Sequence, residues 1–520
     1  MINLLYFFRK KMGDPASSLY ATKRWISSLP LKDEYQAHRM VVNALNLFNL
    51  STEPLNNERL QVLRRLDDSS QALQYGLCRR YFENREIRHS VEQTLWKGVY
   101  ALYWHMTQGY QRFIRNYLDD LGNCSIRKEL PWVTARALYY CGMEIKWRYF
   151  HQEAIQPAMW KRLHKLYRLS ESHGFAEQKV KIDVDGNTST CMSIYMRILM
   201  LDMLTPTSLQ PAQIEQVERW LMRWSNTMRF DNKLVLKKHS HCVDMANAAG
   251  AYKILPDMAL DKPRYWDVQP FLDKLEHVAQ ALREGKPTDR LGIGSGCQGK
   301  ACLELLEQMS RLWTRDAVAR VYPRDAAEER AVHVLCGIEQ ILDSLGGIEL
   351  NANNDTRDAY PVSWPLTNES NHGYGISLDA AACSHAMIGK LVGLRFVDDG
   401  QLLICALRWM SNVAQGQLSM GLEKLSDAPR IVTIQSLDTS QQQAAGVNEN
   451  PLSALFLPNV DVAGMASSLI LPAVEFATSR LLDLYDQNLI YKIRLTVVLE
   501  QSDDWVRGKF DILGRRSSAI

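Results

Sequence analysis

Apolar residues recur at intervals of three and four along residues 35–228, where glycine and proline are sparse. This period places apolar side chains on one face of a helix. The clearest stripe consists of Ile214, Val217 and Leu221, with charged residues between them. The pattern therefore predicts an all-α N-terminal domain, a helical bundle or solenoid, over residues 1–230.

The pattern changes briefly to alternation at residues 181–184 and 234–243, which predicts short strands at the edge of the helical part. Helical spacing then returns at residues 268–283 and 301–313. We interpret residues 231–313 as a mixed connector with short strands and two helices.

Beyond about residue 330, runs of four to eight residues rich in valine, isoleucine and leucine alternate with clusters of turn residues. This spacing is typical of all-β domains. A polar loop at residues 438–451 divides the region. We predict a first β-rich unit at residues 314–428 and a C-terminal β-rich unit at residues 429–520, so the fold class is α+β and multidomain.

The chain of 520 residues has 61 basic and 58 acidic side chains, a net charge of +3 that gives no signature of a nucleic-acid binder. The charge is uneven. Residues 1–170 contain 26 Lys and Arg against 15 Asp and Glu, whereas the remainder contains 35 against 43. We expect the basic helical domain to bind an unidentified protein partner, and we expect no DNA or RNA partner.

Ten cysteines are scattered through apolar stretches without any C-x-x-C pair, which predicts buried free thiols in a reducing compartment. The apolar run at residues 1–8 is too short to span a bilayer, and the basic residues follow it instead of preceding it. We expect no signal peptide, no membrane span and a cytoplasmic location.

Two short motifs resemble a phosphate-binding loop and a zinc site, but neither is complete. Residues 294–300 fit the spacing of a phosphate-binding P-loop, but Ala301 stands where a Ser or Thr would hold magnesium. His239, His241 and Cys242 could ligate zinc, yet on a strand the two imidazoles would face away from the thiol. We expect a plain glycine-rich connection and a strand with exposed imidazoles. The sequence predicts no catalytic residue, no metal site and no enzyme.

The β region contains a more specific signal. Asn368-Glu-Ser370-Asn-His-Gly373 is an N-x-S-x-x-G loop between two strand-like segments, and the segments at residues 389–396 and 402–409 follow it in a characteristic order. This arrangement resembles the PilZ domain, a small β-barrel that binds the bacterial second messenger cyclic di-GMP. The resemblance covers about residues 316–425 and implies that the first β unit is a PilZ-like β-barrel.

The resemblance also implies a ligand site, formed by an R-x-x-x-R segment before the first strand together with the loop. Arg320 and Arg324 provide that pair. Guanidinium groups suit phosphate oxygens and the guanine edge. By the same resemblance Asn368 and Ser370 would supply hydrogen bonds, and Gly373 would let the backbone approach the ligand closely.

The position of the arginine pair leaves two arrangements open. In most PilZ domains the second arginine abuts the first strand, whereas here six residues intervene and Arg330 occupies the abutting place. Either Arg320 and Arg324 bind the ligand from a lengthened arm, or Arg330 has taken over one role and Arg324 the other.

The resulting hypothesis is a cyclic-di-GMP effector in which ligand binding orders the arm at residues 314–329 and alters the protein contacts of the helical domain. No cofactor is expected besides the ligand itself. The alternative is a degenerate PilZ-like scaffold that binds protein partners constitutively and no longer binds a nucleotide.

Overall fold

The structure is a computed structural model, and the chain divides into two compact units, residues 1–318 and 319–520. The structure describes residues 15–83, 89–119, 126–182, 187–254, 259–287, 291, 293, 299–314, 325–326, 330–346, 362–370, 372–379, 387–413, 417–437, 451–458, 467–486 and 489–517.

The first unit is built mainly from helices packed around a single apolar core. These helices are α1 (Leu19–Ile26), α2 (Glu34–Leu50), α3 (Asn57–Glu83), α4 (His89–Asp119), α5 (Leu130–Phe150), α6 (Pro157–Ser172), α7 (Cys191–Asp202), α8 (Pro211–Trp224), α9 (Gln269–Arg283) and α10 (Gly299–Trp313). The predicted stripe of α8 is fully buried, as its spacing requires.

Helix α5 lies inside the unit, because 17 of its 21 residues are buried. Pro131 stands in its first turn, where the missing backbone N–H costs no helical hydrogen bond. Helices α4, α6 and α7 pack around it. A helix that is covered on every side must also bury its charged residues, and these find ionic partners on neighbouring helices.

The first unit also contains two small antiparallel sheets. One pairs β1 (Val180–Lys181) with β2 (Thr188–Ser189), and the other has the order β4-β3-β5, from β3 (His241–Asp244), β4 (Tyr252–Lys253) and β5 (Pro263–Trp266). The strand predicted at residues 234–243 is therefore too long, because residues 236–238 form a turn before β3 begins.

The second unit begins with a closed barrel that we call the first barrel. Its strands and the helix inserted among them are β6 (Asp325–Ala326), β7 (Ala331–Cys336), α11 (Ile338–Leu345), β8 (Trp364–Ser370), β9 (Gly373–Asp379), β10 (Leu391–Phe396), β11 (Leu402–Val413) and β12 (Gln417–Ser426). The order is β8-β7-β10-β11-β12-β9, and β9 pairs with β8 to close the ring, while β6 adds to β8.

A second closed barrel follows, with strand order β13-β14-β15-β18-β17-β16. Its strands are β13 (Arg430–Ser436), β14 (Leu452–Leu457), β15 (Ser468–Pro472), β16 (Leu481–Asp486), β17 (Leu489–Gln501) and β18 (Trp505–Ser517). Each barrel has its own apolar interior. The α+β multidomain class, with a helical N-terminal part and two β-barrels, is confirmed.

The two barrels share a third apolar cluster, to which both contribute. Trp505 of β18 is fully buried in it, and its indole Nε1 donates to the carbonyl oxygen of Gly389 at 2.9 Å. Ile341 of α11 lies in the same cluster. Polar contacts surround it, since Lys390 pairs with Asp504 at 2.7 Å. The barrels therefore form one packed unit.

The cysteines correct one expectation. Cys78, Cys141, Cys191, Cys242 and Cys405 are free thiols, as predicted, but Cys302 is part of a disulfide, and so is Cys336. The expectation of free thiols throughout is therefore wrong for these two. Among the described residues, no helix combines the length and the apolar character needed to cross a membrane.

Candidate functional site

The N-x-S-x-x-G motif forms the tip of the β8–β9 hairpin. Ser370 is the last residue of β8 and pairs with Gly373, the first residue of β9. The Ser370 hydroxyl donates to the carbonyl oxygen of Gly373 at 3.2 Å. Strands β8 and β9 stay paired from the hairpin tip back to Leu366 and Ile376, so the sheet fixes the backbone positions of Asn368 and Ser370.

Two glycines of β9 are closely packed, but only Gly373 faces backbone atoms that cannot move aside. The Asn368 side chain lies across Gly375, where a Cβ atom would be 2.6 Å from Asn368 Oδ1. At Gly373 a Cβ atom would overlap the carbonyl oxygen of Leu422 in β12. The close approach that Gly373 makes in the structure is thus to the neighbouring strand, and barrel closure is sufficient to explain this glycine.

Arg330 lies directly before β7, and its side chain is 32% exposed. Its guanidinium carbon is 3.9 Å from the centroid of the Phe396 ring, an arrangement that favours a cation–π contact. The Nε and Nη2 atoms are 4.0 and 3.9 Å from carboxylate oxygens of Asp398 and Asp399. These distances exceed those of charge-assisted hydrogen bonds, so the N–H groups can donate to another acceptor.

Tyr374 and Phe396 connect Arg330 with the hairpin, and the sequence motifs did not assign either ring to the site. Their ring centroids are 6.0 Å apart at 70°, an edge-to-face contact. Burial raises the pKa of the Tyr374 hydroxyl, and the charge of Arg330 opposes this rise. Tyr374 immediately follows Gly373 in β9. An aromatic ring next to the signature glycine is the signal that could have identified it.

The segment before Arg330 also reaches the hairpin. In β6, Asp325 pairs with Glu369 and Ala326 pairs with Asn368, both in antiparallel register. The end of the proposed arm therefore lies beside the strand that carries the motif. Arg320 and Arg324 lie outside the described residues.

The imidazoles of the His239-to-Cys242 segment are buried, so the expectation of exposed imidazoles is wrong. His239 Nε2 donates to Asp231 Oδ2 at 2.8 Å. His241 pairs through Nδ1 with the Ser240 hydroxyl at 2.7 Å, and burial lowers its pKa to about 3. Within the described part of the chain, no group of three or more His, Cys, Asp or Glu residues could hold a metal ion.

The P-loop-like segment lies mostly outside the described residues. Its last two positions, Gly299 and Lys300, begin helix α10. The Lys300 ammonium is 3.7 Å from Glu304 Oε1, one helical turn further on, and both side chains are exposed. This pair is an ordinary surface contact along a helix.

Two regions of the chain match known families. Residues 20–234 match a family described as the cyclic-di-GMP receptor FimW, N-terminal domain, and residues 439–513 match the FimW C-terminal beta-barrel domain. The protein named cyclic-di-GMP receptor FimW, from Pseudomonas aeruginosa, is 20% identical over 87% of this chain and 84% of its own length. Both the helical region and the second barrel are therefore similar to domains of the cyclic-di-GMP receptor FimW.

Proposed function

We propose that this chain is a cyclic-di-GMP-binding effector and not an enzyme. In this proposal the first barrel binds the dinucleotide at the β8–β9 hairpin, and binding changes the protein contacts of the basic helical unit. The observation that carries the proposal is the pairing of β6 with β8, because it brings the end of the arginine-bearing arm beside Asn368. The similarity to a protein named as a cyclic-di-GMP receptor supports the same ligand.

Arg330 suits the second of the two arrangements, in which it takes one arginine role and Arg324 the other. Stacking on Phe396 covers one face of the guanidinium and leaves its edge for phosphate or guanine oxygens. Residues 171–520 carry a net negative charge, so general attraction does not draw a dianion to this half of the chain. Local arginines must therefore supply the binding energy.

The second candidate function is a scaffold whose first barrel binds no nucleotide. Asp398 and Asp399 favour it, because their carboxylates approach Arg330 and would compete with phosphate. The packing of Gly373 against Leu422 favours it as well, since this explains a signature residue without a ligand.

Calorimetric titration with cyclic di-GMP tests the proposal. We expect the full-length chain to release or absorb heat that saturates as ligand is added. Arg330→Ala should bind the ligand at least about tenfold more weakly, as expected for the loss of a charge-assisted hydrogen bond. Ser370→Ala should also weaken binding, because it removes the hydroxyl that bonds to Gly373 at the tip of the hairpin.

Arg430→Ala is the matched control. Arg430, in the second barrel, also lies over a phenylalanine ring, at 4.8 Å from the Phe456 centroid, and pairs with Asp486 at 3.2 Å. It should bind ligand like the unmodified chain. Absence of any heat or thermal shift would reject the effector and favour the scaffold. Gly373→Val is not diagnostic, because its side chain would disrupt the barrel itself.

A further inference from the structure

An exposed apolar and basic loop precedes β3 in the first unit. We call residues 233–238, Lys-Leu-Val-Leu-Lys-Lys, the KLVLKK loop. Its three consecutive apolar residues, Leu234, Val235 and Leu236, are 40%, 50% and 65% exposed. The flanking lysines are exposed as well. Three adjacent apolar side chains at the surface, rimmed by cations, differ from the scattered apolar residues that a protein surface normally shows.

The loop is held in place by the fully buried His239. The backbone N–H of Val235 donates to His239 Nδ1 at 3.0 Å, and the Val235 carbonyl oxygen accepts from the backbone N–H groups of Lys238 and His239, both at 2.9 Å. His239 Nε2 donates to Asp231, which in turn forms two backbone hydrogen bonds with Tyr265 of β5. The apolar tips are therefore presented by a fixed backbone.

The local charge is positive. Lys238 Nζ is 2.8 Å from Asp231 Oδ2, so this pair is neutral together. Lys233 and Lys237 then add two positive charges on either side of the apolar tips. Arg229, which precedes the loop, is 3.6 Å from Glu177. The loop thus combines an apolar centre with a cationic rim.

We propose that the KLVLKK loop is a peripheral anchor that inserts its apolar tips into the interface of an anionic lipid bilayer. Three successive exposed apolar side chains beside lysines suit a surface that is apolar inside and negatively charged outside, as an anionic bilayer is. The backbone N–H and carbonyl groups of Val235, in the middle of the apolar run, already have hydrogen-bond partners within the protein. Insertion into the bilayer therefore leaves neither of these two groups without a hydrogen bond. The lysines reach lipid phosphates while their stems lie along the acyl boundary.

Vesicle flotation of the full-length chain tests this anchor. Vesicles with about one third phosphatidylglycerol should bind the chain, and pure phosphatidylcholine vesicles should bind it much more weakly, because each lysine gains from a negative surface. Raising the salt concentration should release it. The variant Leu234→Ser/Leu236→Ser should bind anionic vesicles about tenfold more weakly or not at all.

The matched control is Leu31→Ser/Leu50→Ser, which replaces two leucines of the same unit that are 64% and 71% exposed. It should bind vesicles like the unmodified chain. Equal loss in both double variants, or no flotation with anionic vesicles, would overturn the anchor. Binding to soluble polyglutamate but not to vesicles would overturn it too, and would identify the loop as a site for an acidic polypeptide. No cyclic di-GMP is needed, so the result is independent of the ligand proposal.

Discussion

Several buried ionisable side chains in the helical unit are paired with an opposite charge on a neighbouring helix. Arg136 of α5 is bonded to Asp67 of α3 by its guanidinium, and Lys146 is 2.9 Å from Glu215 Oε2. Each charge thus has an opposite charge nearby, as burial requires. Asp202 at the end of α7 is different, because the group bonded to it is the neutral hydroxyl of Tyr149. Burial therefore raises its pKa to about 6.

Asp202 makes stability depend on pH in a predictable direction. The pKa of Asp202 is higher in the folded chain than its ordinary value of 3.8. The protonated carboxyl therefore contributes fully to the free energy of unfolding below about pH 4, and this contribution is lost as pH rises through 6. We expect Asp202→Asn to gain up to about 3 kcal/mol over the unmodified chain between pH 4 and pH 7. Urea unfolding at several pH values measures this difference.

Asp273→Asn, on the exposed face of α9, is the control for that series, because it makes the same carboxyl-to-amide change at a solvent-exposed position. If the unmodified chain and Asp202→Asn keep a constant difference from pH 4 to pH 7, the carboxyl of Asp202 is not the group that titrates.

At the scale of elements, the two barrels are joined by side chains from several strands. Arg408 of β11 binds Glu423 of β12 and also Glu500 of β17, so one guanidinium connects both barrels. Glu423 pairs in register with Gly373, which places this contact one strand away from the signature hairpin. Trp505 fills the centre of the shared apolar cluster. Strand β12 therefore contacts both the hairpin and, through Arg408, the second barrel.

Trp505→Ala should weaken the packing between the two barrels and lower their stability. Removing a buried indole of this size costs about 3–5 kcal/mol, because a cavity remains where the barrels meet. Trp505→Phe should cost less, since it keeps most of the apolar contact and loses the hydrogen bond to Gly389. Scanning calorimetry of the full-length chain should show a lower melting temperature for the transition of residues 319–520 in the alanine variant.

Trp104→Ala replaces a tryptophan of α4 that is 42% exposed, and it is the control for size and residue type. It should leave the transition of the barrels unchanged. A melting temperature in Trp505→Ala equal to that of the unmodified chain would show that the shared cluster adds little to the stability of the barrels.

At the scale of the whole molecule, the proposed function requires two separate units to act on one signal. The similarity to FimW domains covers the helical region and the second barrel, and the PilZ-like motifs lie in the first barrel between them. The proposed ligand site and the proposed basic surface for a protein partner are thus on different units of the chain. Ligand binding must alter the first unit if the chain is an effector and not a scaffold.

Hydrogen exchange with and without cyclic di-GMP distinguishes these outcomes. We expect slower exchange in the hairpin at residues 364–379 and a change in at least one helix of residues 1–318, because binding stabilises the bound conformation and whatever is coupled to it. Arg330→Ala should abolish both effects. Protection confined to residues 319–520 would show binding without transmission to the helical unit and would contradict the effector mechanism.

The sequence by itself determined the type of most major elements, although helix α11 lies in a region for which only strands were predicted. The stripe of Ile214, Val217 and Leu221 required a helix with one buried face, and the short apolar runs after residue 330 required strands. Local periodicity decides such elements, because each must bury one face whatever it packs against. The N-x-S-x-x-G spacing likewise indicated a turn between two strands, and these residues form the tip of a hairpin.

Only the tertiary structure decided which residues meet. It placed β6 beside Asn368, put Phe396 under Arg330 and packed Gly373 against Leu422, contacts between segments that are distant in sequence. It also buried His239, whose alternating neighbours had predicted an exposed strand. Barrel closure and long-range burial depend on the relative positions of many strands and helices, and no local pattern encodes those positions.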